Sequence, residues 1–470
     1  MTLIDTLRSA LGASHVLTGD DTARYASDWT NVYQAAPLAV VRPANTEEVA
    51  TAVRIAAKAG VAVVPVGGNT GLCGGAHAPG ALMISLERMN RVREIRPDAR
   101  IAVVEAGVVL DALHAAARAH DLIFPLSFGA RGSAMIGGCL STNAGGVNVV
   151  RYGSTRHLCL GLEVVLASGE VLDLMTALRK DNSGYDLKDL FIGAEGTLGI
   201  ITAATLQLAP APSAYASAMV ALPTLGDALS LLNRLQSATG GAVEAFEYIP
   251  GATVEALVAH FDGMRPPFQR TYDVNILVEV GATAPCDATP LADGTLPIVT
   301  YLEEVLGQML ENGTVIDAVV ARNEAQRVEM WARREGMAEV ALAHRPFVNT
   351  DISVPLDRVQ AFLDSMAPRL AEVDPGARTL VVAHLGDGNV HYTVQASRDE
   401  AGLLDAILEA VEDRALALGG SFSAEHGIGI SKLASMRRRK NPVALSVMRE
   451  IKTALDPQGV MNPGKVLPDA

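Results

Sequence analysis

At 470 residues, 49% hydrophobic and 19% charged, the chain is long enough for two or three globular domains and can bury a sizeable core. A formal charge of −14 excludes a nucleic-acid partner, since phosphate binding needs a basic surface, and the one strong basic cluster, Arg437–Lys440, reads as a solvated helix face. Cys73, Cys139, Cys159 and Cys286 show neither metal-ligand spacing nor a disulfide framework, so a cytoplasmic location is expected; the N-terminus carries Asp5 in place of a signal-peptide core, and no run approaches the ~18 apolar residues of a membrane helix.

Along the first part, helix-like and strand-like stretches alternate. Thr46–Gly60 opens on a capping-type threonine and closes on glycine, which predicts a helix. Val61–Val66 reads as a short strand running into a glycine-rich loop. A strand at Ile101–Val104, a helix at Leu110–His120, and a hairpin turning at Ser168-Gly169 follow. The stretch Ala209–Ser213 (APAPS) marks a domain boundary. Beyond it come a helix at Leu225–Ala238, a strand at Val274–Val280, a long helix at Glu324–Ala343 and a strand at Thr379–Ala383. Ala282–Thr295 is expected to be a loop, and the chain ends in the loop-like DPQGVMNPGKVLP.

Four glycine-rich elements stand out: Gly67–Gly71 after a strand, SFGARGSAMIGGCLSTNAGG from Ser127 to Gly146, IGAEGTLGI at Ile192–Ile200, and Asn462-Pro463-Gly464-Lys465. Consecutive glycines let backbone N–H groups converge on an anion, and several such loops in one chain favour an extended dinucleotide. A Rossmann site is excluded: G-x-G occurs only at Gly386–Gly388 and Gly427–Gly429, without the third glycine. Gly459 to Lys465 imitates a P-loop, but Val466 replaces the hydroxyl residue and no helix follows.

The second half carries His384-Leu-Gly-Asp-Gly-Asn-Val-His391 and Ser423-Ala-Glu425-His426-Gly-Ile-Gly429. A spacing of seven on one strand would put the imidazoles on opposite faces, but the Gly386-Asp387-Gly388 turn can break the strand and let them converge. Two histidines and a carboxylate form a three-ligand set for Zn²⁺ or Mn²⁺ with positions open to substrate. Arg334, in Trp331-Ala-Arg-Arg-Glu335 on a predicted helix, has the forked donor geometry that suits a carboxylate.

The loops VPVGGNTGLCGGA, GSAMIGGCLSTNAGGVNVVRYG, LRKDNSGYDLKDLFIGAEGTLGIIT and MNPGKVLP resemble the FAD-binding vanillyl-alcohol oxidase-type flavoproteins, most of all the D-2-hydroxyglutarate and D-lactate dehydrogenase branch. The resemblance implies an α+β fold. A two-subdomain FAD-binding domain spans 1–212, an α+β substrate-binding cap with an antiparallel sheet spans 213–425, and residues 426–470 return to the FAD and active site. It places the pyrophosphate at Gly67, Gly68, Asn69, Thr70 and Gly71. Ser127, Gly132, Ser133, Gly137, Asn143, Gly145 and Gly146 would line the FAD, Gly196 and Ile200 would hold the adenine half, and Asn462 would approach the flavin. It also assigns His384, His391 and Glu425 to metal, His426 to catalysis and Arg334 to substrate. The first loop contains no histidine, so non-covalent FAD is expected.

The implied activity is oxidation of a D-2-hydroxy acid, with an electron-transfer flavoprotein or a quinone as acceptor and a homodimer as the assembly. Ala338, Asn349 and Thr393 stand where the hydroxyglutarate enzymes carry Thr, Lys and Asn, which puts D-2-hydroxyglutarate in doubt and opens the site to D-lactate-like acids. The alternatives are a flavin oxidase using O₂, a non-catalytic FAD-binding subunit of a glycolate oxidase-like complex, and a flavin-free zinc hydrolase.

Overall fold

A computed structural model describes residues 1–469. Contacts divide the chain into two units, the first made of Met1–Gly145, Gly153–Ala211 and Glu425–Ala470, the second of Gly146–Tyr152 and Pro212–Ala424. The division at 211/212 falls inside the proline-containing stretch. Residues 146–152 are an excursion that the sequence does not announce. Arg151 Nη1 donates to Glu244 Oε1 and to the Gly281 carbonyl, both at 2.8 Å, and the Tyr152 hydroxyl donates to Glu244 at 2.7 Å.

The first unit contains two main sheets. One has the order Val16–Leu17, Ala39–Val41, Leu82–Ser85, Val63–Val66, with the last two pairings parallel. The helix Thr46–Lys58 carries an apolar stripe of Val49, Ala50, Ala52, Val53 and Ala56, all buried. Its cap is Asn45 rather than Thr46, because the Asn45 side chain accepts the Glu48 N–H at 2.9 Å. The other sheet is antiparallel, in the order Val92–Arg96, Ile101–Glu105, Ile200–Gln207, Cys159–Val165, Val171–Leu174. Its last two strands form the expected hairpin, with Gly169 at φ +78°.

The C-terminal tail is stitched back onto the first sheet. The Val63 N–H donates to the Val460 carbonyl and the Asn462 N–H to the Val63 carbonyl, both at 2.8 Å. Asn462 therefore sits beside the strand that feeds the Gly67–Gly71 loop. Lys452 Nζ holds the approach to this tail, donating to Thr197 O, Asp456 Oδ2 and Met461 O.

The second unit is built on a seven-stranded antiparallel sheet in the order Asp317–Val320, Ala214–Leu222, Val274–Ala282, Val243–Pro250, Arg378–His384, Asn389–Gln395, Phe347–Ser353. Strand alternation separates its faces. Val220, Val278, Phe246, Val381, Val390 and Ile352 point into one core with Leu231, Leu302, Phe362 and Ile407 from four helices. The alternate positions put Glu279, Glu247, His384, His391 and Asp351 on the opposite face. The long helix expected at 324–343 breaks into Glu324–Glu335 and Met337–Leu342 at Gly336, where a Cβ would lie 2.8 Å from the Phe261 ring.

Candidate active site

The two histidines converge because Gly386-Asp387-Gly388 closes a hairpin. His384 ends one strand and His391 lies on the next, in register with Val382. Counted across the turn, the rings share one face, with centroids 5.3 Å apart. Gly388 is in the left-handed region at φ +83°, and a Cβ there would lie 2.2 Å from the Val354 carbonyl oxygen, so the turn demands glycine.

Sequence reasoning missed the carboxylate behind His384. Glu247, 1% exposed, receives His384 Nδ1 at 2.8 Å and Arg334 Nε at 2.5 Å. Burial pushes the Glu247 carboxyl up, but the facing charges of His384 and Arg334 and their hydrogen bonds outweigh it and hold it at about 2. A carboxylate on Nδ1 makes that nitrogen the N–H donor and Nε2 the acceptor, and Arg334 Nη2 donates to Nε2 at 3.3 Å. The available signal was Glu247 itself, a charged residue inside the apolar strand Val243–Pro250.

Asp351, also 1% exposed, is a second carboxylate that the sequence left unmarked. It accepts Asn389 Nδ2 at 2.9 Å and lies 3.8 Å from His391 Nδ1. The Ala424 N–H donates to its carbonyl at 3.1 Å and to Oδ2 at 3.2 Å, which fixes the chain immediately before Glu425 and His426. Within the second unit, His384 and His391, and His391 and Asp351, each present ligand atoms within 4.8 Å of one another. The donor set of imidazoles and carboxylates fits a borderline divalent cation. Further along the same face, Thr393 Oγ1 donates to Asn349 Oδ1 at 3.0 Å across the paired strands.

The glycine-rich elements come together in the first unit. A Cβ on Gly68 would lie 1.9 Å from the Ser133 carbonyl oxygen, and one on Gly196 would lie 2.4 Å from Pro65 Cγ. Asn69, Asn143 and Asn462 adopt left-handed conformations, at φ +53°, +49° and +42°, and their side chains tie loops together. Asn69 donates to Ser27 O, Asn143 accepts the Arg156 N–H, and Asn462 donates to Gly75 O and Glu195 O. Asn462 Oδ1 is buried with no hydrogen-bond partner, which fits a donor supplied by a cofactor.

Other assigned positions are placed differently. Gly137 packs on Ala106, and Ile200 is 1% exposed in its strand. A Cβ on Gly145 would meet Glu425 Oε1 at 2.5 Å, so its glycine makes room for that carboxylate. Thr70, Gly71, Ser127, Gly132 and Ser133 keep partial or full exposure, and Gly146 falls in the second unit.

Residues 37–175 match the FAD binding domain family, and residues 211–466, more than half of the chain, match FAD linked oxidases, C-terminal domain. The chain belongs to the FAD-linked oxidases. It is 37% identical to a D-2-hydroxyglutarate dehydrogenase of Xanthomonas citri pv. viticola over 452 residues, covering 95% of this chain and 92% of that protein. It is 38% identical to the mitochondrial D-2-hydroxyglutarate dehydrogenase of Bos taurus, covering 94% of this chain and 79% of that one. Among solved structures, p-cresol methylhydroxylase with substrate bound has a TM-score of 0.74 at 17% identity, covering 99% of this chain and 96% of that one. A 4-ethylphenol oxidase from Gulosibacter chungangensis has a TM-score of 0.72 at 22% identity, covering 99% and 97%.

This FAD-linked oxidase is an FAD-dependent oxidoreductase of the D-2-hydroxyglutarate and D-2-hydroxyacid dehydrogenase branch, with the α+β architecture of the vanillyl-alcohol oxidase type. The expectation of a cytoplasmic location is overturned, since relatives such as the Bos taurus and Arabidopsis thaliana enzymes are mitochondrial. Reduced cysteines do not discriminate here, because thiols without a disulfide framework fit more than one reducing compartment. Among the described residues, no helix is long and apolar enough to cross a membrane.

Proposed function

We propose that this protein oxidises a D-2-hydroxy acid to the 2-oxo acid, with His384, His391 and Glu425 holding Zn²⁺ or Mn²⁺ and His426 taking the hydroxyl proton. The observation that carries the reading is the convergence of the two imidazoles on one face of the sheet, where Glu247 holds His384 Nδ1. A divalent cation held there would lower the pKa of the substrate hydroxyl. FAD, when bound, supplies the hydride acceptor. The chain's own groups do the rest: Arg334 orients the substrate carboxylate, and the His426 imidazole takes the proton at near-neutral pH. An electron-transfer flavoprotein or a quinone is the proposed acceptor, and a homodimer the proposed assembly.

The FAD is proposed to be non-covalent, since Gly67–Gly71 holds no histidine. The purified protein should be yellow and release intact FAD into the supernatant on heat or acid denaturation; flavin that stays with the precipitate would sink this reading.

The substrate is proposed to be a D-lactate-like acid as readily as a dicarboxylate. Asn349, where a lysine would meet a distal carboxylate, is neutral and engaged with Thr393. The test is a panel of D- and L-2-hydroxy acids with a dye acceptor, with and without a chelator. Activity should be restricted to D-acids, be lost on chelation, and return with Zn²⁺ or Mn²⁺. Asn349→Lys should shift preference towards D-2-hydroxyglutarate. A wild type at least about a hundredfold better with D-2-hydroxyglutarate than with D-lactate, roughly 2.7 kcal/mol of discrimination, would place the distal cation elsewhere.

A further inference from the structure

The motif Ile192–Ile200 contains a carboxylate that a loop cradling an anionic dinucleotide does not require. Glu195 is 8% exposed, and both its carboxylate oxygens are spent on one backbone turn. Oε1 accepts the Ile428 N–H at 2.7 Å and Oε2 the Gly429 N–H at 2.8 Å. Gly427 and Gly429 have φ of +76° and +50°, and such left-handed turns present consecutive N–H groups as an anion-binding concavity. The fit leaves no slack: a Cβ on Gly427 would lie 2.7 Å from Glu195 Oε1, and one on Gly429 would lie 2.0 Å from the Cys73 carbonyl oxygen. The G-x-G after His426 is thus shaped around Glu195 and Cys73.

Glu195 is itself held in a costly conformation. Its φ is +52°, a region that non-glycine residues rarely adopt. Its N–H donates to Ser141 O at 2.8 Å, and its carbonyl accepts Asn462 Nδ2 at 2.7 Å. Strain retained against such anchoring points to a demand on where the side chain is aimed.

We propose that Glu195 is a positioning residue for the acid–base step: by clamping the Ile428 and Gly429 N–H groups it fixes the turn that begins directly after His426, and with it the imidazole. The inference rests on the reading of His426 as the base. It ties a loop of the FAD-binding motif to the proton-transfer residue.

The test uses the full-length holoenzyme as wild type, Glu195→Gln and Glu195→Ala, each also combined with His426→Ala. The readouts are kcat, KM, FAD per chain and the single-turnover rate of flavin bleaching. An amide nitrogen cannot accept a hydrogen bond, so Gln keeps one of the two bonds and Ala neither. The expected order of kcat is Glu above Gln above Ala, with the Ala variant down roughly 10–100-fold, the scale of misplacing a catalytic group, at unchanged KM and FAD content. In the His426→Ala background the same changes should alter the bleaching rate by no more than about twofold, because a residue acting through His426 has nothing left to position. An equal loss in both backgrounds, or a fall in FAD content with kcat per bound flavin intact, would overturn the proposal. A His426→Ala enzyme with near-normal turnover would instead remove the base assignment beneath it. Should the Glu195 variants fail to fold, Gly427→Ala, which drives a methyl against Oε1, must show the same kcat loss at unchanged KM; normal kcat there overturns the proposal.

Discussion

Replacing His426 with alanine is expected to lower kcat by roughly 10²–10⁴-fold, the scale of losing a general base, while the metal stays bound. The test is sharp because the proposed ligand Glu425 and the proposed base His426 are neighbours in the chain. His391 lies between His384 and Asp351, with ligand atoms within 4.8 Å of each. His391→Ala should therefore strip the metal. If His384, His391 and Glu425 are the ligands, Glu425→Ala also loses metal and His426→Ala does not. Metal content by atomic emission after gel filtration, read beside kcat, separates the outcomes. A His426→Ala protein that loses its metal would make His426 a ligand, and one that turns over normally would end its role as base.

Removing the Arg334 side chain should lower kcat/KM by at least about 10-fold and as much as about 100-fold, the range for a hydrogen bond to a charged group of ~1.5–3 kcal/mol. The structure adds a second consequence. Arg334 is the cation paired with Glu247, the two side chains being 14% and 1% exposed respectively. Breaking a buried pair by deleting one partner typically costs ~3–5 kcal/mol. Arg334→Ala should thus also lower the unfolding midpoint and loosen the carboxylate that orients His384. Arg334→Lys retains the charge without the fork, so it should recover stability more fully than kcat/KM. Saturation kinetics and thermal melts on both variants check this. Arg334→Ala with unchanged kcat/KM would leave Arg334 as a partner of Glu247 alone.

Local readings held where one stretch of chain decides the outcome. The hairpin at Ser168-Gly169, the helix beginning at Thr46 and the strand into Gly67 depend on alternation, periodicity and turn chemistry that a short window contains. The helix expected across Gly336 failed because the ring of Phe261, 75 residues earlier in the chain, packs where a side chain would stand. Asn45 displaced Thr46 as the cap because the choice depends on which oxygen reaches the Glu48 N–H, and composition does not report that.

By itself the sequence determined the family and its FAD-dependent branch. The glycine loops, the paired histidines about Gly386-Asp387-Gly388 and the E-H-G-I-G run are local patterns, and they carried the resemblance to a flavin-dependent branch that the comparisons bear out. Tertiary structure alone decided what stands behind those residues. Glu247 reaches His384 from 137 positions away, and Glu195 reaches Ile428 across 233. Asp351 meets His391 only because the two are partners across neighbouring strands. A buried carboxylate is stabilised by whichever donors the fold delivers to it, and sheet register and loop closure, rather than neighbouring residues in the chain, set that delivery.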